Sequence, residues 1–224
     1  MNDAERTLRE RFDLREEGFV HGDFAVDLLL PRSADELIDV SAFNTDERLP
    51  YWADLWPSAR ALTRWALGAT LPAAPTLELG SGVALPSLAL AWRGARVVAS
   101  DYYPEALEFA RINASRNSIP APETMLLDWR HPPPGIGVFP LVLAADVLYE
   151  RRNGEALAEL LPRLTAPGGR VVIADPGRVH AADFFASMEA HGWRVREIES
   201  VEEPSGADGS GAVSQVRIRE LTLT

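Results

Sequence analysis

The sequence predicts an α/β fold: one mostly parallel seven-strand sheet, helices on both faces, and an antiparallel hairpin at its C-terminal end. Three observations carry that expectation. From residue 75 onward, short apolar strands alternate with helical segments, the pattern of a parallel sheet covered on both sides. The last two strands follow one another through the short Gly- and Ser-rich EPSGADGSG, and so short a connection joins an antiparallel pair. A chain of 224 residues also fits one domain, burying roughly 70% of the surface of its unfolded form. Residues 71–224 are expected as the core and residues 1–70 as an N-terminal helical cap, with no internal repeat and no second domain.

In the cap, residues 1–17 read as a charged amphipathic helix anchored by Leu8, Phe12 and Leu14. FAVDLLL (24–30) reads as a short strand ended by Pro31, and Ser33 with Glu36 three residues on as a helix cap. Pro57 suits a first helical turn, and Ala59, Leu62, Trp65 and Ala66 follow at helical spacing, so a helix is expected from Pro57 to Leu67. The core strands are read at 76–80, 95–100, 123–128, 139–147, 170–175, 193–199 and 212–221. Helices are read after the first strand and at 104–117, 155–165 and 182–190. Pro132-Pro133-Pro134-Gly135 reads as a rigid loop in place of a helix.

Composition narrows the function classes. The net charge is −11 and the pI near 4.9; such a surface repels phosphate backbones, so no nucleic-acid partner is expected. No apolar run approaches the ~20 residues of a membrane span, so no membrane partner is expected either. The charged N-terminus does not read as a signal peptide. Cysteine is absent, which excludes disulfides and thiolate metal sites and makes a cytoplasmic address the default. His21, His131, His180 and His191 show no metal-ligand spacing, so no metal is expected.

Three successive strand ends carry groups suited to a nucleoside. Glu78-Leu79-Gly80-Ser81-Gly82 closes the first strand, where glycines allow close backbone approach and the helix behind presents free N–H groups. A dinucleotide fingerprint needs a Gly or Ala three residues after Gly82; Leu85 stands there, which counts against NAD or FAD. Asp101, about 20 residues past the glycines, is placed to accept both ribose hydroxyls; helix capping is the competing reading. At the third strand end, Asp128 offers an acceptor for an adenine amino group and Trp129 an apolar face for its ring. Glu78 and Tyr102, the neighbour of Asp101, join the same cofactor-facing set.

At Asp146-Val147-Leu148-Tyr149, ending the fourth strand, the sequence resembles the seven-strand protein-lysine methyltransferase family, marked there by Asp, two residues, then Tyr. Trp52–Trp56, Leu77–Gly82, Asp101, Asn113 and Trp129 fall on that family's other motifs, and the resemblance runs from about residue 24 to 221. Pro50-Tyr51-Trp52-Ala53, Trp56-Pro57 and Asp175-Pro176-Gly177-Arg178 make it most similar to the branch that methylates the β-subunit of electron transfer flavoprotein. The resemblance implies a class I, Rossmann-like methyltransferase fold with S-adenosyl-L-methionine as donor and S-adenosyl-L-homocysteine as product. It implies cofactor contacts for Trp56, Gly80, Ser81, Gly82, Asp101, Trp129 and Ala145. It further implies that Asp146 and Tyr149 line the channel through which a lysine enters.

Methyl transfer from a sulfonium requires a neutral nucleophile in line, and little acid–base help. A free lysine has a pKa near 10.4, so only roughly one side chain in two thousand is neutral at pH 7. Desolvation and a nearby positive charge lower that pKa, whereas a carboxylate raises it. Asp146 is therefore assigned to binding and orienting the amine, and Tyr149 to an aromatic wall with an oxygen acceptor. The expected acceptor is a protein lysine, with the electron transfer flavoprotein β-subunit as the branch's substrate, and a monomeric enzyme. Small-molecule N- or O-methylation on the same fold is the alternative. A non-catalytic cofactor-binding protein is the reading from another class. Pro132–Gly135 aside, the loop after the sixth strand is expected on the cofactor side, with Glu197, Glu199, Glu202 and Glu203 leading towards it.

Overall fold

The computed structural model describes residues 3–34, 37, 49–205 and 212–223. A seven-strand sheet forms the core. Its strands are β3 (Thr76–Leu79), β4 (Val97–Asp101), β5 (Glu123–Leu126), β6 (Phe139–Ala145), β7 (Thr165–Asp175), β8 (Trp193–Pro204) and β9 (Val213–Leu223). Their spatial order is β5-β4-β3-β6-β7-β9-β8. Strands β3 to β7 pair in parallel, and β9 runs antiparallel to both β7 and β8. The predicted seven strands and closing hairpin are all present. The strand order reverses beside β3, so the crevice at the C-terminal ends of β3 and β6 is where such sheets take ligands.

Burial explains why the strands read as apolar runs. Every residue of β3 and β4 is buried. Along β6, Val142 and Ala144 join the core under α5 (Arg151–Leu164) and α6 (Ala181–Ala190). Leu141 and Leu143 face the opposite way and pack with Ala61, Leu62 and Ala66 of α2 (Pro57–Gly68). Alternation with both faces covered leaves no polar position to reveal the period. Helices α3 (Leu85–Trp92) and α4 (Pro104–Arg116) complete the layers.

The N-terminal segment departs from the helical reading. Helix α1 (Asp3–Arg11) is followed by β1 (Leu14–His21) and β2 (Phe24–Pro31), an antiparallel hairpin in which His21 faces Phe24. The two-residue Gly22-Asp23 turn, with Gly22 at φ +56°, is a hairpin signal in the sequence itself. The charge of LREEG hides the strand: Leu14 is buried, Arg15 and Glu17 are half-buried, and Glu16 and Gly18 are exposed, because one face of β1 meets solvent. Strand β2 has buried residues on both faces: Leu28 and Leu30 pack with Leu85 and Leu88, and Leu29 with Trp52 and Phe109.

Asn113 fixes the hairpin to α4. Its amide accepts from Leu29 N at 2.7 Å and donates to Leu29 O at 3.1 Å, and Asn117 does the same to Asp27 at 2.9 and 3.1 Å. Two side-chain amides thus satisfy backbone groups of β2 that a further strand would otherwise take. The helix cap read at Ser33 and Glu36 involves Glu36, which lies outside the described residues. No helix among the described residues is long and apolar enough to cross a membrane.

Candidate active site

The chain leaves β3 through three left-handed turns in five residues: Gly80 at φ +64°, Gly82 at φ +51° and Ala84 at φ +63°. A Cβ on Gly80 would stand 3.1 Å from the Trp129 ring and 3.3 Å from Val147 Cγ1; on Gly82 it would stand 3.1 Å from Trp52 O. Glycine is required at both by backbone angle and by space. The turn is pinned from β4, where Ser100 O accepts from Ser81 N at 2.9 Å. Asp101 Oδ2 accepts from Gly82 N at 2.8 Å and Oδ1 from Tyr103 N at 3.0 Å. Asp101 therefore holds both the glycine turn and the entry to α4 while forming part of the cleft wall.

Beneath the turn, Glu78 is buried and its Oε2 accepts from Ser87 N at 2.9 Å and from the Ser87 hydroxyl. Burial pushes its carboxyl up to about 8, with the neighbouring Asp101 charge adding and the Ser87 bonds opposing. Glu78 is thus largely protonated at neutral pH.

These residues line one cleft of about 950 Å³, counted with its open mouth, at the ends of β3, β4 and β6. Trp56, Glu78, Gly80, Ser81, Gly82, Asp101, Tyr102, Trp129, Ala145, Asp146 and Tyr149 all border it, as the sequence groups them. Asp128 does not border it. Its carboxylate is turned to Arg130 N at 3.0 Å, the Arg130 guanidinium at 3.2 Å and His131 Nδ1 at 3.1 Å. Burial would raise the Asp128 carboxyl, but the bonds from Arg130 and His131 outweigh it and hold the group down at about 2. Asp128 thus braces the loop that presents Trp129.

Three polar atoms of the cleft-lining residues have no hydrogen-bond partner among the described residues. Trp129 Nε1, Ser81 Oγ and Asn153 Nδ2 are buried and unpaired, and all three residues line the cleft. Buried polar groups left unsatisfied cost about 1–3 kcal/mol each. Asn153, in the first turn of α5, has no signal in the sequence beyond its position after the Asp146–Tyr149 motif.

At the other end, β6 runs into Asp146, a buried residue at φ +57° whose N–H donates to Ala174 O at 2.9 Å. Aspartate is among the few side chains that tolerate this region. Its carboxylate is met by Arg178, with Nε at 2.7 Å from Oδ1 and Nη2 at 3.1 Å from Oδ2. The Arg178 guanidinium also lies over the Trp56 ring, 5.3 Å from its centre. Tyr51 packs edge-on against Tyr149 at 5.1 Å and Trp56 at 6.0 Å, and Trp56 Nε1 donates to Tyr51 O at 2.8 Å. The sequence singles out Arg178 only as part of a family-like tetrapeptide; its contact with Asp146 spans 32 positions.

The profile of a family described as lysine methyltransferase matches residues 52–191, more than half of the chain. The chain belongs to the lysine methyltransferase family. Membership and fold together make it an S-adenosylmethionine-dependent methyltransferase. Among curated proteins, this methyltransferase is 28% identical over 165 residues to the Mus musculus histone-arginine methyltransferase METTL23, covering 70% of this chain and 65% of that one, just under two thirds. It is 27% identical over 213 residues to the Rattus norvegicus electron transfer flavoprotein β-subunit lysine methyltransferase, covering 91% and 79%. Among solved structures, the magnesium protoporphyrin IX methyltransferase from Synechocystis with bound S-adenosylmethionine superposes with a TM-score of 0.55. That pair is 19% identical and covers 84% of this chain and 86% of the other, a likeness of fold.

Proposed function

We propose that this methyltransferase transfers a methyl group from S-adenosylmethionine to a lysine side chain of a protein. The observation that carries the reading is the junction at Asp146 and Trp56. Both residues border the donor cleft, and both also border a second, wider groove of about 1270 Å³ counted with its mouth. That groove lies between β1, α2, the loop after β7 and the tip of the β8–β9 hairpin. A donor cleft opening into a broad outer groove suits an extended polypeptide that inserts one long side chain. A small acceptor would be better served by an enclosed pocket.

Bound S-adenosylmethionine supplies an electrophilic methyl group on a positively charged sulfur. The residues of the chain bind and orient around it. Gly80, Ser81 and Gly82 give the close backbone approach, Asp101 takes the ribose hydroxyls, and Trp129 offers its ring face to the adenine. Trp56, Tyr102 and Ala145 close the cleft. Tyr51, Trp56 and Tyr149 exclude water around the acceptor chain, and Asp146 accepts a hydrogen bond from its nitrogen. A carboxylate has about four lone-pair sites, so Asp146 retains capacity beyond its two bonds to Arg178. A cytoplasmic monomer acting on the β-subunit of electron transfer flavoprotein, the acceptor in the name of one relative, completes the proposal.

An arginine acceptor is a second reading with its own support. The mouth already holds a guanidinium, that of Arg178, against Asp146 and Trp56, and one relative is named for histone arginine. Incubation with methyl-labelled cofactor and host lysate, followed by acid hydrolysis, separates the readings. Label in methyllysine is expected. Label in methylarginine selects the second reading, and label in a small metabolite alone overturns both.

A further inference from the structure

Arg178 lines the outer groove together with Asp146 and Trp56, the two residues that also border the donor cleft. Its placement is fixed from two directions. Asp175 Oδ1 accepts from Gly177 N at 2.7 Å and Arg178 N at 3.0 Å, shaping the loop that carries the side chain. The neighbouring residue of β7, Ala174, accepts from Asp146 N at 2.9 Å. One strand end thus holds both members of the ion pair.

We propose that Arg178 is a positioning residue that cancels the charge of Asp146, so that the acceptor amine is held by a hydrogen bond without being held as an ammonium ion. The inference rests on the amine-acceptor reading above and adds a specific residue to it. An opposite charge within ~4–6 Å stabilises a charged form by about 1–3 pKa units. A bare Asp146 would therefore make the neutral lysine, already rare at pH 7, rarer still. A carboxylate paired side-on with a guanidinium presents the amine with a dipole in place of a full negative charge, and keeps an acceptor site. The amine's surplus proton then leaves to water through the outer groove. In the transfer the nitrogen lone pair forms the new C–N bond, and the pair of the broken C–S bond returns to sulfur.

Neighbouring charges do not replace Arg178. Arg15 and Arg60 both pair with Glu17, and Arg15 also meets Asp54 at 3.3 Å, so this group of two cations and two anions balances itself. Glu150 pairs with Arg152 beside the donor cleft, and Arg219 on β9 with Glu197 at 3.6 Å. Asp175 faces the pair from β7, and burial pushes its carboxyl up. Tyr51 and Tyr149 add two further titratable groups to the wall. Removal of Arg178 leaves Asp146, whose side chain is only 3% exposed, without its guanidinium partner.

The test uses the whole protein loaded with S-adenosylhomocysteine, and n-butylamine as a lysine side-chain probe. Calorimetric affinity is read from pH 6.5 to 10 for wild type, R178M, R178Q and R178K. Wild type is expected to bind the amine more tightly as pH rises, following the neutral form. R178M and R178Q are expected to bind it at least about fivefold more tightly at pH 7 and to lose that rise, with R178K restoring much of it. Methyl transfer to the protein labelled from lysate should be about tenfold slower at pH 7 in R178M, since one pKa unit is tenfold, and should recover towards pH 10. R178Q and R178K carry the comparison if R178M does not fold. Superimposable pH dependence in wild type and the uncharged variants overturns the inference while leaving the amine reading intact. Absence of amine binding by wild type at every pH overturns that reading, and this inference with it.

Discussion

The proposed donor and acceptor ends of the cleft are built by different means. At the donor end, consecutive residues do the positioning: Gly80, Ser81 and Gly82 turn the backbone, and Asp101 clamps the turn 19 positions away on the adjacent strand. At the acceptor end, side chains from distant segments converge. Tyr51, Trp56, Asp146, Tyr149 and Arg178 come from the chain before α2, the end of β6 and the loop after β7. The first arrangement follows from backbone angles that few residues permit. The second depends on an ion pair and three aromatic contacts that individually constrain little. A binding end fixed by backbone and a reacting end fixed by side chains allows the acceptor to change while the donor is kept.

If that contrast is right, the largest effect on turnover comes from Asp146→Asn. Asparagine tolerates φ +57° almost as well as aspartate, so the backbone should stay in place while the charge is lost. The substitution also breaks the two-bond pair with Arg178, leaving a guanidinium uncompensated where the acceptor amine must bind. Single-turnover methyl transfer is expected to fall about a hundredfold, against a cofactor affinity within a few-fold of wild type by calorimetry. Loss of cofactor binding in this variant would show that the two ends are not separable.

Gly82→Ala probes the donor end. The left-handed angle alone costs an L-residue roughly 1–2 kcal/mol, and the new Cβ would meet Trp52 O at 3.1 Å. Trp52 cannot yield easily, because its ring is packed 5.3 Å from Phe109. Cofactor affinity is expected to drop about tenfold, with a melting temperature several degrees lower. Gly68→Ala is the control, since a Cβ there meets nothing within 4 Å. Equal affinity losses in the two alanine variants would refute a specific role for the glycine turn.

The same contrast decides what was legible in the sequence. The core strands are visible because parallel strands are continuous apolar runs, and the glycine turn because it stands where the first of them passes into a helix. Asp101 is legible by spacing, and Asp146 and Tyr149 by resemblance to a motif. The Arg178 contact is not legible, because no periodicity links it to Asp146. For Asp128 the sequence shows a carboxylate beside a tryptophan, chemistry suited to adenine, but gives no signal of the bonds it takes from Arg130 and His131 two and three residues on. In the N-terminal segment, charge obscured strand β1, although Gly22-Asp23 marks its hairpin.

Glu78→Gln should have the smallest effect on turnover at neutral pH and the clearest effect on the pH dependence of stability. Glu78 belongs to the donor end yet is buried beneath the turn, bonded to Ser87. Its carboxyl sits at about 8 in the folded protein, against an ordinary 4.5. The folded state therefore binds the extra proton, and the sign follows from linkage. The contribution is fully present below about 4.5, declines as pH rises, and is lost on passing through about 8. Glutamine is nearly isosteric, offers Ser87 the same kind of acceptor, and does not ionise. Between pH 6 and 9 the wild type is expected to lose on the order of a few kcal/mol from this group. Since about 1 kcal/mol moves the melting temperature by ~2–4 °C in a protein of this size, its decline over that range should be several degrees steeper than that of the glutamine variant. Thermal melts of both proteins, without cofactor and at matched ionic strength, make the comparison. Parallel pH profiles would mean that Glu78 is already ionised in the folded state and that the donor end carries a buried negative charge. In that case, adding S-adenosylmethionine, whose sulfur is positive, should stabilise wild type more than the glutamine variant.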